Sequence, residues 1–463
     1  MNPYKKLMSN TAIFAIGTFS SKLLVFFMTR YYTAVLTADD FGLSNTITMA
    51  SNILLPIASV TITDAVIRFG LDKSNNKHEV FSTGLFAILI GFVITLPFAP
   101  LVNMVGYLGD YTALMYAYVF AANLQSLCGQ CVRTRGHVKL YAFDGIFRTI
   151  STIILNIIFL SAFHLGITGY VLSVICANLL SILFLTAIDG LYRFIHIRAL
   201  NRSTIVNMLR YSIPLIPSKI CVYIYSSADS FFILYMVGKR ANGLYNTAHK
   251  IPTLLILVSG IFIEAMQISA FSSDNRKEQE KFFTRVGNVY QALIFMFASG
   301  IIMTSKLSMS IIAAPSYYEG WRFIPLLIFA SAFACLSNFQ NIIYGVVKKS
   351  VSSLTTTLFG AGMNILLNFI FVPKWGANGA AFATLISYIA MFLVRAVHTR
   401  RYLAVHWNIP RFSGTFLLLC LQSALMLHEG AFWIPVQILL FLLITLIGAK
   451  DILAGLSKVL KRG

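Results

Sequence analysis

Apolar residues run in blocks of about twenty along the whole chain, separated by short breaks rich in Gly, Pro, Asp, Lys and Arg. A helix needs about 20 mostly apolar residues to cross the hydrocarbon of a bilayer. The pattern predicts fourteen spanning helices, roughly at 10–35, 42–68, 80–104, 112–133, 143–163, 168–189, 212–237, 243–268, 284–305, 323–346, 354–373, 379–397, 412–428 and 431–449. The first block follows Lys5 and Lys6 as the core of a signal peptide would. It is too long for one, has no small-residue cleavage pattern before Asp39 and Asp40, and leads straight to another span, so it reads as a retained helix.

Composition fixes the class. Of 463 residues, 57% are hydrophobic and 11% charged, against about 25% charged in soluble chains. The fold class is therefore all-α integral membrane. Lys and Arg set the orientation: 25 fall at the ends and loops assigned to one side, and on the other only Lys239, Arg240, Lys306, Arg322 and Lys374. The positive-inside rule places both termini in the cytoplasm. The net charge of +20 is mostly this bias, with attraction to an anionic inner leaflet, and does not call for nucleic acid.

The chain also repeats itself. Gly42-Leu43-Ser44-Asn45-Thr46 returns as Gly243-Leu244-Tyr245-Asn246-Thr247, and Asp64-Ala65 as Glu264-Ala265. Leu155-Asn156-Ile157-Ile158-Phe159 with Gly166-Ile167-Thr168-Gly169 returns as Leu367-Asn368-Phe369-Ile370-Phe371 with Gly376-Ala377-Asn378-Gly379. Six helices followed by six like them make a parallel repeat: a first lobe at 1–190, a basic cytoplasmic linker at 191–210 acting as the hinge, a second lobe at 211–400, and a C-terminal appendix at 411–463 holding the last two spans and a basic tail. A central cavity between two such lobes is the expected architecture.

Charged groups inside spans are expensive and mark function. The set is Lys22, Arg30, Asp64, Arg68, Asp144, Arg148, Lys219, Asp229, Lys250 and Glu264. Asp64 with Arg68, and Asp144 with Arg148, are four apart and share a helix face. Lys250 and Glu264, fourteen apart, are expected to share one too. Lys22, Arg30, Arg68, Lys219 and Lys250 are the candidate substrate-binding cations. Asp64, Asp229 and Glu264 are the candidate carboxylates for coupling to H⁺ or Na⁺. Plainer roles exist: Arg68 and Arg148 can snorkel to the interface, Asp144 can pair with Arg148, and Lys219 and Asp229 can neutralise charges within the fold. Pro214, Pro217 and Pro252 predict broken helices. The six cysteines, including the lone Cys128-Gly129-Gln130-Cys131, read as small residues packing between helices, and no metal site is expected.

The segments from Thr29 to Leu43, from Gly238 to Tyr245, and Leu367-Asn368 with Trp375-Gly376-Ala377-Asn378-Gly379-Ala380-Ala381 resemble the polysaccharide transporters of the multidrug/oligosaccharidyl-lipid/polysaccharide superfamily. That resemblance implies two six-helix lobes around a cavity in a bacterial cytoplasmic membrane. It implies a flippase that carries an undecaprenyl-pyrophosphate-linked oligosaccharide to the outer leaflet by alternating access, working as a monomer beside polysaccharide-assembly proteins. A basic cavity suits such cargo, because a pyrophosphate carries two or more negative charges. The sequence has no phosphate-binding loop for ATP, so coupling falls to an ion, with no other cofactor. Rival readings are a lipid II flippase and a multidrug exporter, the latter suiting a cavity dominated by acids. A membrane glycan polymerase or glycosyltransferase would need a large outer loop or a D-x-D metal site, and neither is present; no catalytic residues are assigned.

Cysteine-scanning labelling checks the topology: positions 39 and 110 are expected to react from outside and position 77 only from inside. Labelling of position 77 from outside overturns the map.

Overall fold

The computed structural model describes residues 24–72, 75–195, 200–270, 276–347, 349–428 and 433–460, and these are helical with no strand among them. Two compact units divide the chain at Ser227 and Ala228. In the first, the main helices are α1 (24–35), α2 (Ala38–Ala58), α3 (Ile62–Gly70), α4 (Lys77–Thr95), α5 (Thr112–Thr134), α6 (Val138–Ile157), α7 (Gly166–Asp189) and α8 (Arg202–Ser212). α9 (Ile216–Met236) contains the division. The second unit continues with α10 (Lys239–Ala248), α11 (Pro252–Ala270), α12 (Arg276–Met303), α13 (Ile324–Val346), α14 (Ser350–Thr399), α15 (Ile409–His428) and α16 (Trp433–Leu460).

Helices occupy the described part of every expected span. By length and composition, seven of them cross a membrane unaided, and eight when the bent pair α2–α3 counts as one. That count is of the described residues alone, and the chain is broken between α8 and α9 and between α10 and α11. Prolines make two of the breaks, as expected: a 3₁₀ turn at Ile213–Leu215 holds Pro214 ahead of α9, and Pro252 opens α11 after the turn that ends α10. A third break was not expected. Between α2 and α3 the chain bends by 57° at Val60 and Thr61, with φ of 52° and 48°, a left-handed conformation that β-branched residues rarely adopt. The Thr61 hydroxyl donates to the Ser212 carbonyl at 2.6 Å. Gly91 packs so close to the bend that a Cβ there would lie 2.3 Å from the Ala58 carbonyl oxygen.

The repeat is visible in the geometry of each unit. α5 and α13 are both 23 residues long and start 212 positions apart, as do the starts of α6 and α14. Asn156 and Asn368 each donate to the carbonyl four residues back, at 2.9 and 3.0 Å. Gly166 and Gly376 both have positive φ, 52° and 57°, and Gly376 kinks α14 into two arms. The helices that follow lean on the preceding turn through Gly169 and Gly379, whose Cβ positions would fall 3.3 and 2.2 Å from the carbonyl oxygens of Phe159 and Phe371.

The stretch 191–210, read as a hinge, is docked on both sides of residues 196–199, which lie outside the described residues. Leu191 and Met208 are buried in the core that α3, α4, α5 and α7 form, and Asn201 caps α8 by accepting from the Ser203 amide. Its apolar residues hold it in unit 1, and the division comes later, inside α9. Nearby, Asp189 at the end of α7 pairs with Arg135 and His137, and the Arg135 guanidinium lies over Phe194. The cysteines are all free, with Cys128 and Cys131 in the same core, and no metal-binding cluster occurs among the described residues.

Arg395, counted from sequence as a loop cation, is only 2% exposed. It sits on the second arm of α14 and donates from Nη1 to the Ser337 carbonyl and hydroxyl, from Nε to Thr356 and from Nη2 to Thr357. It thereby ties α13 to both arms of α14. Arg395→Ala strips buried acceptors of their donor and is expected to cost on the order of 1–3 kcal/mol, read as a lowered thermal unfolding midpoint in detergent. Arg395→Lys, which lacks the planar fork, should recover only part of the loss.

Candidate functional site

Lys22 lies outside the described residues, as does the side chain of Glu264. Of the other expected cations, Arg30 is exposed on α1 and Arg68 is exposed on α3. Lys219 on α9 reaches back to Asp64 on α3, 3.1 Å between Nζ and Oδ2. The pair stands one turn beyond the Val60–Thr61 bend, so a hydroxyl bond and an ion pair together join α3 to the connection between α8 and α9. Asp64 is thereby occupied by a cation of the protein, and Arg68, on the same face four residues on, has no ion-pair partner among the described residues.

Lys250 is half-buried in the turn between α10 and α11, where its carbonyl accepts from the Thr253 hydroxyl and its amide donates to the Thr247 carbonyl. The break separates it from α11, so Lys250 does not lie on one continuous helix with Glu264, whose side chain is outside the described residues. No acid is ion-paired to it among the described residues.

Asp144 and Arg148 do share a face of α6, but they are not paired directly. Gln125 of α5 stands between them, donating from Nε2 to Asp144 Oδ2 at 2.9 Å and accepting from Arg148 Nη1 at 2.8 Å. Ser181 of α7 donates to Asp144 Oδ1 at 2.5 Å. The carboxylate is 2% exposed, its lost hydration replaced by neutral donors. Gln125, Asp144 and Arg148 border a cavity of about 590 Å³ lined by α1, α2, α5, α6 and α7, with Tyr32, Tyr118, Tyr141 and Asn178 also on its wall. Offset by 212 positions, Gln125 and Asp144 correspond to Ser337 and Thr356, the partners of Arg395. The equivalent three-helix junctions of the two units thus hold buried charges of opposite sign.

The other carboxylate is Asp229 on α9, half-buried in unit 2. Its Oδ2 receives the hydroxyls of Tyr245 and Thr384, both at 2.6 Å. Its Oδ1 receives Nδ2 of Asn368 at 2.7 Å and of Asn364 at 3.3 Å. Four donors from α10 and both arms of α14 converge on it, with no cation ion-paired to it among the described residues. Asn368 Oδ1 is buried and has no partner. Sequence reasoning singled out Asp229 but missed its cage, although Tyr245 and Asn368 both lie in segments that the repeat had marked. Gln125, Ser181, Asn364 and Thr384 carried no signal, since uncharged polar residues are common on helix interfaces.

The profile of the family described as polysaccharide biosynthesis protein matches residues 7–272. An uncharacterized membrane protein of Methanocaldococcus jannaschii is 23% identical over 392 residues, covering 80% of this chain and 92% of its own length. Among solved structures, a lipid II flippase in an inward closed conformation superposes with a TM-score of 0.71 at 16% identity, covering 96% of this chain and 99% of its own. An inward-facing multidrug resistance transporter of the MOP superfamily superposes with a TM-score of 0.64 at 15% identity, covering 84% and 98%. With more than half of its length matched, the chain belongs to the polysaccharide biosynthesis protein family, a multi-pass membrane protein with the fold of the flippases and transporters of the MOP superfamily.

Proposed function

We propose that the protein flips an undecaprenyl-pyrophosphate-linked oligosaccharide from the cytoplasmic to the outer leaflet of the cell membrane, both termini being cytoplasmic. The observation that carries the reading is Lys250: a half-buried lysine in the turn between α10 and α11, with no ion-paired acid among the described residues. A cation in that setting is costly unless an anion arrives, and a pyrophosphate is an anion that Lys and Arg groups solvate well. Arg30 and Arg68 serve the same cargo from α1 and α3. Lys219, paired with Asp64, joins them when that pair opens. The family match supports a role in polysaccharide assembly. The polyprenyl tail need never leave the bilayer, and the head group alone crosses.

Coupling is placed at Asp229. Its supports are oxygen-rich: the carboxylate itself, the hydroxyls of Tyr245 and Thr384, and the amides of Asn364 and Asn368. Rotating the two amides turns their oxygens inward and offers the hard-oxygen surroundings that Na⁺ prefers. Protonation of Asp229 is the other way to neutralise it. A lipid II cargo shares the polyprenyl pyrophosphate and is the second reading, favoured by the fold likeness to a lipid II flippase; competition between lipid II and a surface-glycan lipid for the purified protein separates them.

Arg30→Ala and Lys250→Ala are each expected to abolish export of a surface polysaccharide while protein level in the membrane stays normal. Normal export by both variants removes the basic-site reading. In proteoliposomes, Asp229→Asn is expected to lose the part of transport that depends on a Na⁺ or H⁺ gradient. A gradient-driven rate equal to the parent's takes coupling away from Asp229.

A further inference from the structure

We infer that the cavity in unit 1 is a subsite for one uncharged sugar residue of the cargo, separate from the cations that take its pyrophosphate; the inference rests on the glycan-lipid reading above. Three observations carry it. The first is charge. Among the described residues the ionised groups on the cavity wall are Asp144 and Arg148, joined through Gln125, so the described wall is neutral overall. A phosphate needs surplus cations and an organic cation needs a surplus acid; a neutral polyol needs neither. Arg30, Arg68 and Lys219 are not part of this wall.

The second is unsatisfied polarity. Asn178 lines the cavity and is only 3% exposed, yet its side-chain amide has no hydrogen-bond partner among the described residues. Gln130, also on the wall, has a buried Oε1 with none either. Buried amides are normally bonded, and the Asn178 amide on the cavity wall awaits a donor and an acceptor, which a sugar hydroxyl supplies. The third is the aromatic wall. Tyr118 is held by its hydroxyl to Asn52 at 3.0 Å, and the Tyr32 hydroxyl accepts from Asn156 at 3.2 Å. These rings are fixed apolar surfaces of the kind that takes the C–H face of a pyranose. About 590 Å³ lies in the range of small-ligand sites and has room for a sugar ring.

The test is saturation-transfer NMR on the purified full-length protein in detergent, with glucose, galactose and N-acetylglucosamine as separate probes, and undecaprenyl pyrophosphate binding measured in parallel. At least one sugar is expected to bind. Asn178→Leu, which removes the amide from the cavity wall, and Gln130→Ala, which removes the neighbouring polar side chain, should each weaken that sugar by about tenfold, the worth of one buried hydrogen bond, and leave undecaprenyl pyrophosphate binding unchanged. If undecaprenyl pyrophosphate binds but no sugar signal depends on either residue, the subsite is overturned and the transport reading stands. If tetraphenylphosphonium binds in place of the sugars and is lost in Asn178→Leu, the subsite is likewise overturned in favour of an organic cation. If the sugars bind through Asn178 while undecaprenyl pyrophosphate does not bind the parent, the subsite stands and the transport reading falls.

Discussion

A charge carried into a bilayer-spanning helix must find in the protein what water gave it outside. This chain meets that demand chiefly with neutral hydrogen-bonding groups. Asp144 is held by Gln125 and Ser181, Arg395 by Ser337, Thr356 and Thr357, and Asp229 by two hydroxyls and two amides. Dipoles that are fixed by helix packing hold a charge without cancelling it. The charge remains available to a ligand, as it would not in a tight ion pair. Asp64 with Lys219, where both side chains are partly open to solvent, and Asp189 with Arg135 at the end of α7 are the ion pairs that depart from this pattern.

The duplication shows which part of the fold is under packing control and which is free to change. Helix lengths, the asparagine that bonds back four residues, the left-handed glycine and the glycine that meets the preceding carbonyl all recur. These are backbone constraints: a Cβ at Gly169 or Gly379 would crowd the preceding turn, and Gly166 and Gly376 hold a left-handed conformation. What sits inside the frame has diverged, an acid in one unit and a base in the other. A shared scaffold with unlike contents gives each unit a separate task under the proposed function: a sugar-contacting wall in the first and a coupling carboxylate in the second.

The apolar blocks made the helices legible, because span length is set by the bilayer and leaves a pattern about twenty residues long. The proline breaks were legible for a similar reason: the missing N–H of Pro214 or Pro252 is a property of the residue itself. The bend at Val60–Thr61 was not, since both residues favour other conformations and only the surrounding contacts hold them there. At the sites, charge drew the eye to Asp229 and Asp144. Their partners stayed hidden, because Asn, Thr and Ser on a membrane helix look the same whether they face a carboxylate or their own backbone. The linker was misread because its basic residues masked the two apolar side chains, Leu191 and Met208, that bury it.

The two kinds of break in these helices differ in what holds them. The turns at Pro214 and Pro252 lack a backbone donor through the residue itself. Val60 and Thr61 have every group a helix requires, and their left-handed conformation costs on the order of 1–3 kcal/mol each. The α2–α3 bend therefore rests on the contacts around it, the Thr61–Ser212 bond and the close approach of Gly91 to Ala58, and not on the residues at its turn.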